Sequence, residues 1–462
     1  MSPAAAPPAR PVLDRRRAGV LLHPGSLPSH RLDRSALEFI GCLAAGGFAA
    51  WQMLPLGPTG RHGSPYSPSS AFAGNVHLLP RAVVDTPVEL EELQEFRCRT
   101  AAWLDDYALF SVLHLHHRGL PWWAWPPGLR WREPGSLARC MREHAAALDA
   151  CVRQQYLFER NWQTVRAAAR RHDILLLGDL PLFVVADSAD VWAHPQFFKL
   201  DAGGRARYVA GVPPDAFAPA GQCWNNPVYD WDQAGPGLFD WWVRRLRHEC
   251  ERFDLVRWDH FRGLQATWEI PPGREGRPAS AREGQWREVP GRGLLQTLTQ
   301  ALGQLPVVAE NLGVITPQVE QLRHDFHLPV MHVLQFAFDG DPANPHLPDR
   351  HEEQGVVYTG THDNDTTRGW LESLDAGARQ RIVQVLGCPS AVTLEALLDS
   401  ALGSRARLAM FPAQDLLALG SSARMNVPGR AQGQWRWSLP QGAITVEFSR
   451  RFLPRLRDSL RA

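Results

Sequence analysis

Four acidic residues stand where four apolar runs of this chain stop. They are Asp179 in 173-DILLLGDLPLF-183, Asp259 in 254-DLVRWDHF-261, Glu310 in 306-PVVAENLG-313 and Asp363 in 355-GVVYTGTHDND-365. Gathered in one pocket, carboxyl groups of this kind suit the chemistry of the glycosidic bond. That reaction takes one carboxyl to protonate the leaving oxygen and a second to attack the anomeric carbon or to activate water. A separation of about 5 Å makes the second a nucleophile and retains configuration. The neighbours fit this division. Arg257 precedes Asp259 by two residues in the same run, so period-two alternation turns both to one face. An arginine there holds Asp259 ionised, as a nucleophile must be. Glu310 closes the apolar run PVVA, a setting that raises a carboxyl pKa and so suits a general acid.

Taken singly, each signal has a plainer reading. A lone Asp at a strand end caps a helix or a turn. Arg257 and Asp259 make a structural ion pair, and His362–Asp363 belongs either to a metal site or to a capped turn. Tryptophans such as Trp122, Trp123, Trp224, Trp231 and Trp242 fill cores by default and stack on ligands less often. What favours sugar chemistry is coincidence: four acids at matching run ends, with arginine, histidine and loop aromatics around them.

Something must bring those run ends together. Four further runs share the same phrase: 18-AGVLLHP-24, 48-FAAWQMLPLGP-58, 330-VMHVLQFAFD-339 and 407-RLAMFPAQD-415. Amphipathic stretches such as 152-VRQQYLFERNWQTVRAAARRH-172 and 374-LDAGARQRIVQVLG-387 lie between runs. Buried strands alternating with helices predict an α/β fold, a (β/α)8 TIM barrel, in which C-terminal strand ends face the active site. An open doubly wound sheet fits the same alternation. Within a single catalytic domain over 17–462, the helical, tryptophan-rich segment around 85–150 and the Gly/Pro/aromatic loop around 203–231 read as insertions. Residues 1–16 read as a disordered tail.

Composition excludes several classes. With 462 residues, 44% of them hydrophobic, the chain can bury a large core, and a net charge of +1 gives no basic excess for nucleic acid. The apolar runs fall short of the roughly 20 residues that span a bilayer, and MSPAAAPPARPVLDRRR leads into no apolar signal core. Seven cysteines without a CxxC pair read as reduced thiols of a cytoplasmic protein. No oxygen-rich EF-hand-like loop is present, so neither metal nor cofactor is expected.

Longer motifs bring a family into view. The segments 53-MLPLGPTGRHGSPYSPSSAFAGN-75, 178-GDLPLFV-184, 212-VPPDAFAPAGQCWNNPVYDW-231, 257-RWDHFRG-263, 309-AENLG-313, 334-LQFAFD-339, 359-TGTHDND-365 and 424-RMNVPG-429 resemble the amylomaltases. These are 4-α-glucanotransferases of glycoside hydrolase family 77. The resemblance runs from about Arg17 to about Phe452. It implies Asp259 as nucleophile, Glu310 as general acid/base and Asp363 as a third carboxylate gripping sugar hydroxyls, with His362 beside it. Arg257 and Asp179 would share that pocket, and Tyr66 would stack under the sugar before the cleaved bond. Gln222, Trp224, Asp339 and Asn426 would line neighbouring subsites. The implied partners are α-1,4-glucans, handled by a monomer or a homodimer. The sequence departs from the family at Ala216, where tyrosine is usual, and at Asn225, where glycine is usual. Asparagine tolerates the left-handed backbone that glycine would supply. An α-1,4-glucan hydrolase with the same carboxylates and a silent glucan-binding barrel are the alternatives.

Overall fold

The computed structural model describes residues 13–60, 63–214, 218–273, 278–388, 391–430 and 432–462. Among the described residues twelve strands are formed: β1 (Arg17–Leu21), β2 (Ala50–Gln52), β3 (Leu175–Leu180), β4 (Val209–Val212), β5 (Gln222–Pro227), β6 (Leu255–Trp258), β7 (Ala266–Ile270), β8 (Gln285–Glu288), β9 (Val307–Ala309), β10 (Val330–Val333), β11 (Gly355–Tyr358) and β12 (Leu408–Pro412). Eight of them close a barrel in the order β1-β2-β3-β6-β9-β10-β11-β12, with neighbours parallel throughout. Each apolar run named above supplies one barrel strand, and the open-sheet alternative falls.

Why the run ends converge follows from alternation along each strand. Ala50, Leu177, Leu255, Val308, Met331, Val333, Val356, Tyr358, Leu408 and Met410 form one buried cluster, the filling of the barrel. Continuing the same period two places beyond Leu177, Leu255 and Val308 arrives at Asp179, Arg257 and Glu310. One more step from Arg257 is Asp259. The polar residues at the mouth are thus the next layer of the same stack. The alternate residues face outward, where Trp258 stacks on Trp242 of the helix Gly235–Arg252 at 5.2 Å. Gly178, between Leu177 and Asp179, lies so close to Phe253 that a Cβ would sit 2.3 Å from its ring. Only glycine lets the helix side close over β3 there.

Two expectations need correction. The segment around 203–231 is more than a loop, because β4 and β5 pair antiparallel in it, and β7 and β8 complete a four-stranded sheet. The second insertion therefore draws on residues up to Glu288, on both sides of β6. The tail expected over 1–16 is also too long where it can be checked. Leu13 is buried with the barrel filling, and Arg16 donates to the carbonyls of Leu402, Ser404 and Ser459. Residues 1–12 lie outside the described residues. The segment around 85–150 is helical, including Leu90–Arg99, Leu104–His116 and Pro134–Glu143. Among the described residues no helix is long and apolar enough to cross a membrane.

Candidate active site

At the barrel mouth, pairing register does the first positioning. Asp179 on β3 is level with Arg257 on β6, so the two side chains enter the pocket side by side. One guanidinium nitrogen, Nη1 of Arg257, lies 2.8 and 2.9 Å from the two oxygens of Asp179 and 2.8 Å from Oδ1 of Asp259. The Tyr66 hydroxyl donates to the other side of Asp179 at 2.5 Å. Burial pushes Asp179 up to about 7, against the pull of Arg257. Burial pulls Arg257 down, but Asp179 and Asp259 outweigh it and raise it well above its ordinary value, so the arginine stays charged. Asp259 keeps about a quarter of its side chain exposed (27%), enough for a ligand to reach it.

Glu310 has a different setting. Its Oε2 accepts the backbone N–H of His260 at 2.7 Å and its Oε1 that of Leu312 at 3.2 Å. His260 follows Asp259 directly, which fixes the Glu310 carboxyl beside the proposed nucleophile. The hydrogen bond depends on an uncommon conformation, since His260 is left-handed at φ 55° and ψ 47°. Strain of this kind costs about 1–3 kcal/mol and persists where the surroundings impose it. Burial pushes Glu310 up to about 8; Arg257 opposes this and the Asp259 charge adds to it.

The third group hangs from the loop after β11. The Asp363 Oδ1 accepts from Asn426 Nδ2 at 2.6 Å and lies 3.5 Å from His362 Nε2. His362 is buried and its pKa is lowered by that burial. Its ring lies parallel to Tyr66 at 5.2 Å. The loop is pinned from below by Asp415, buried under it, whose oxygens accept the hydroxyls of Thr359 and Thr367 at 2.6 Å each and the Thr367 N–H at 2.7 Å.

On the far side, Gln222 opens β5 and its Oε1 accepts from the Trp224 indole at 3.1 Å. The Trp224 ring meets His260 edge-on at 4.8 Å, which brings the side sheet against the Glu310 turn. Asn225 is left-handed at φ 61°, the conformation expected where the family carries glycine. Ala216, the other departure, lies outside the described residues. Asp339 stands apart. It is exposed, and its Oδ1 accepts the N–H of Asp341 within its own turn, without a hydrogen bond to this group among the described residues.

Residue reasoning missed four contributors. His260 and Asp415 leave no signal beyond their places in DHF and PAQD. Arg424 lies in RMNVPG and donates to the backbone carbonyls of Asp363 and Asn426 at 2.6 and 2.7 Å. Trp435 packs 5.8 Å from Tyr66 and 5.9 Å from His362.

The family follows from comparisons with known proteins. A family model described as 4-alpha-glucanotransferase matches residues 22–90 and 81–444. The chain is 43% identical to a 4-alpha-glucanotransferase of Thermus thermophilus over 94% of its own length and 97% of the relative's. It is 41% identical to one of Synechocystis sp., over 92% and 94%. Its fold is similar to an amylomaltase of Streptococcus agalactiae solved in complex with acarbose, with TM-score 0.91 and 29% identity over 97% of this chain and 100% of that one. By sequence along nearly its whole length, and by a barrel whose mouth gathers the carboxyl groups the chemistry requires, this chain belongs to the 4-alpha-glucanotransferase family.

Proposed function

We propose that this chain passes segments of α-1,4-glucan from a donor maltodextrin to the 4-hydroxyl of an acceptor by double displacement. The observation that carries the reading is the contrast between two adjacent carboxyl groups. Asp259 lies against the Arg257 guanidinium at 2.8 Å, while burial lifts Glu310 to about 8 and keeps its proton at neutral pH. A nucleophile must be ionised and a general acid protonated, and here environment divides the roles.

In the first step Asp259 attacks the anomeric carbon, the glycosidic C–O bond breaks, and Glu310 gives its proton to the departing oxygen. In the second, the acceptor 4-hydroxyl attacks the same carbon and the bond to Asp259 breaks. Glu310, now basic, takes back a proton from that hydroxyl, so two inversions leave an α linkage. Asp363, oriented by Asn426, grips hydroxyls of the unit being transferred, with His362 alongside. Tyr66 offers its ring to that unit while its hydroxyl keeps Asp179 in place. Trp224, braced by Gln222, gives the acceptor an apolar face from which water is excluded. Asp339, exposed on the loop after β10, lines a neighbouring subsite. All seven cysteines are free, as suits the reducing cytoplasm.

Incubation with pure maltotriose tests the reading directly. Glucose together with a ladder of longer maltodextrins is the expected outcome. Maltose and glucose alone would make the protein a hydrolase, and binding without turnover would make it a silent barrel.

A further inference from the structure

Beside the site, joined to it through Trp435, lies a cavity of about 360 Å³. Its walls carry Arg31 and Arg81 with His30, His77 and Trp435; His23 also lines it, but burial lowers its pKa to about 4 and keeps it neutral. Among the described residues lining it there is no Asp or Glu. Nor does either arginine have an acidic partner elsewhere among the described residues. Arg31 is fixed through Nη1, which donates to the carbonyls of His77 and Leu79, and the rest of its fork has no hydrogen-bond partner there. His30 spends Nδ1 on the Gly25 carbonyl at 2.7 Å, which leaves Nε2 on the other side of the ring. Arg81 starts the short helix Arg81–Val84 and is exposed.

This lining differs from the rest of the cleft. A neutral sugar is gripped by carboxylates and amides that pair with its hydroxyls, as Asp363 and Asn426 are placed to do. Cations collected without a counter-charge repel one another, and an anion that joins them removes that cost. Guanidinium forks match the oxygens of a phosphate in particular. Position narrows the choice further. Glu310, His260 and Trp224 stand on the side where the leaving oxygen is protonated. Trp435 lines the cavity and packs against Tyr66 and His362; on the glucanotransfer reading Tyr66 and Asp363 hold the unit being transferred, so the cavity adjoins the part of the donor that stays on the enzyme.

We propose that this cavity receives a phosphoryl oxyanion, carried as a phosphate monoester on a donor glucosyl unit beside the one at the cleavage point. The proposal rests on the glucanotransfer reading above. The enzyme would then accept phosphorylated α-glucans as donors and prefer to keep the phosphorylated unit in the transferred segment.

The test compares maltodextrins of one length, neutral or bearing a single phosphate monoester, as donors for the full chain and for Arg81→Glu and Arg81→Lys. The expected result is a ratio of kcat/KM, phosphorylated over neutral, that falls about tenfold in Arg81→Glu, the worth of one charged hydrogen bond. Arg81→Lys should restore part of it. Rising salt should lower the ratio in the wild type and leave it flat in Arg81→Glu. A ratio unaffected by charge reversal overturns the proposal. So does an effect of inorganic phosphate on neutral maltotriose that Arg81→Glu abolishes, because the cavity would then serve a free anion. Disproportionation of neutral maltotriose, measured alongside, reports on the glucanotransfer reading separately: its absence in the wild type would sink that reading whatever the ratio.

Discussion

The two edges of the barrel mouth are built by opposite means. Across β3, β6 and β9 the polar layer is held by charge: Arg257 stands between Asp179 and Asp259, and Glu310 leans on two backbone N–H groups. Across β11 and β12 a buried carboxyl, Asp415, is satisfied by two threonine hydroxyls and one N–H. An ion pair in low dielectric sets protonation states, because each charge changes the cost of its neighbour's. Neutral donors around a carboxylate fix geometry and leave the charge of distant groups alone. The first edge is therefore suited to chemistry and the second to holding the loop that grips substrate. Substitutions at the first edge should alter chemical steps and pH dependence. Those at the second should loosen alignment.

The largest effect should follow Asp259→Asn. Without the attacking oxyanion, maltotriose disproportionation should fall on the order of 10⁴-fold, as when a covalent catalyst is removed elsewhere. Calorimetry should still register maltodextrin binding, since Tyr66, Asp363 and Trp224 are untouched. Near wild-type turnover would assign the nucleophile elsewhere. Glu310→Gln comes next, with a loss of about 10²–10⁴-fold. Its pH signature is more telling. Glu310 must be protonated to act on the leaving oxygen, and burial places its pKa at about 8. Wild-type kcat/KM should therefore be maintained below that pH and decline above it, and Glu310→Gln should lose this basic limb. A limb that survives belongs to another group.

Arg257→Met tests the charged edge by its cost to the fold. It leaves Asp179 and Asp259 facing each other with the buried guanidinium gone. Breaking a buried pair from one side costs about 3–5 kcal/mol, readable as a shift of the urea unfolding midpoint at neutral pH. Acidification should recover part of that loss by protonating the orphaned carboxyls. If stability were unchanged at every pH, the pair would be solvated and the contrast between the edges would fail.

How much of this was written in the sequence depends on the kind of signal. Strands buried on both faces appear as apolar runs, and every barrel strand was legible for that reason. Their ends were legible only as a set, because a single acid closing such a run caps a helix or a turn, whereas four at matching ends coincide for another reason. The side sheet was not. β4 and β5 are short, rich in Gly, Asn and Pro, and their partners β7 and β8 lie across β6 in the chain. Their pairing is a long-range fact with no local periodicity behind it. His260 was hidden because its contribution is a backbone N–H turned by a left-handed residue, which no side-chain pattern records. Asp415 was hidden because a buried structural carboxyl looks the same in sequence as a helix cap.

The subtlest prediction concerns that residue. Asp415→Asn keeps the shape and removes one acceptor, so the Thr359 and Thr367 hydroxyls and the Thr367 N–H no longer all find an oxygen. The unmade bond should cost about 1–3 kcal/mol of stability. Loosening the 359–367 loop should shift Asp363 relative to the sugar and lower kcat by about tenfold, since small misplacements are costly in catalysis. Asp415 touches neither Asp259 nor Glu310 in any hydrogen bond among the described residues. The basic limb of the pH profile should therefore stay where it is, while hydrogen exchange quickens across 359–367. A displaced limb would mean that the two edges share one electrostatic network. An unchanged kcat with lowered stability would confine Asp415 to the fold.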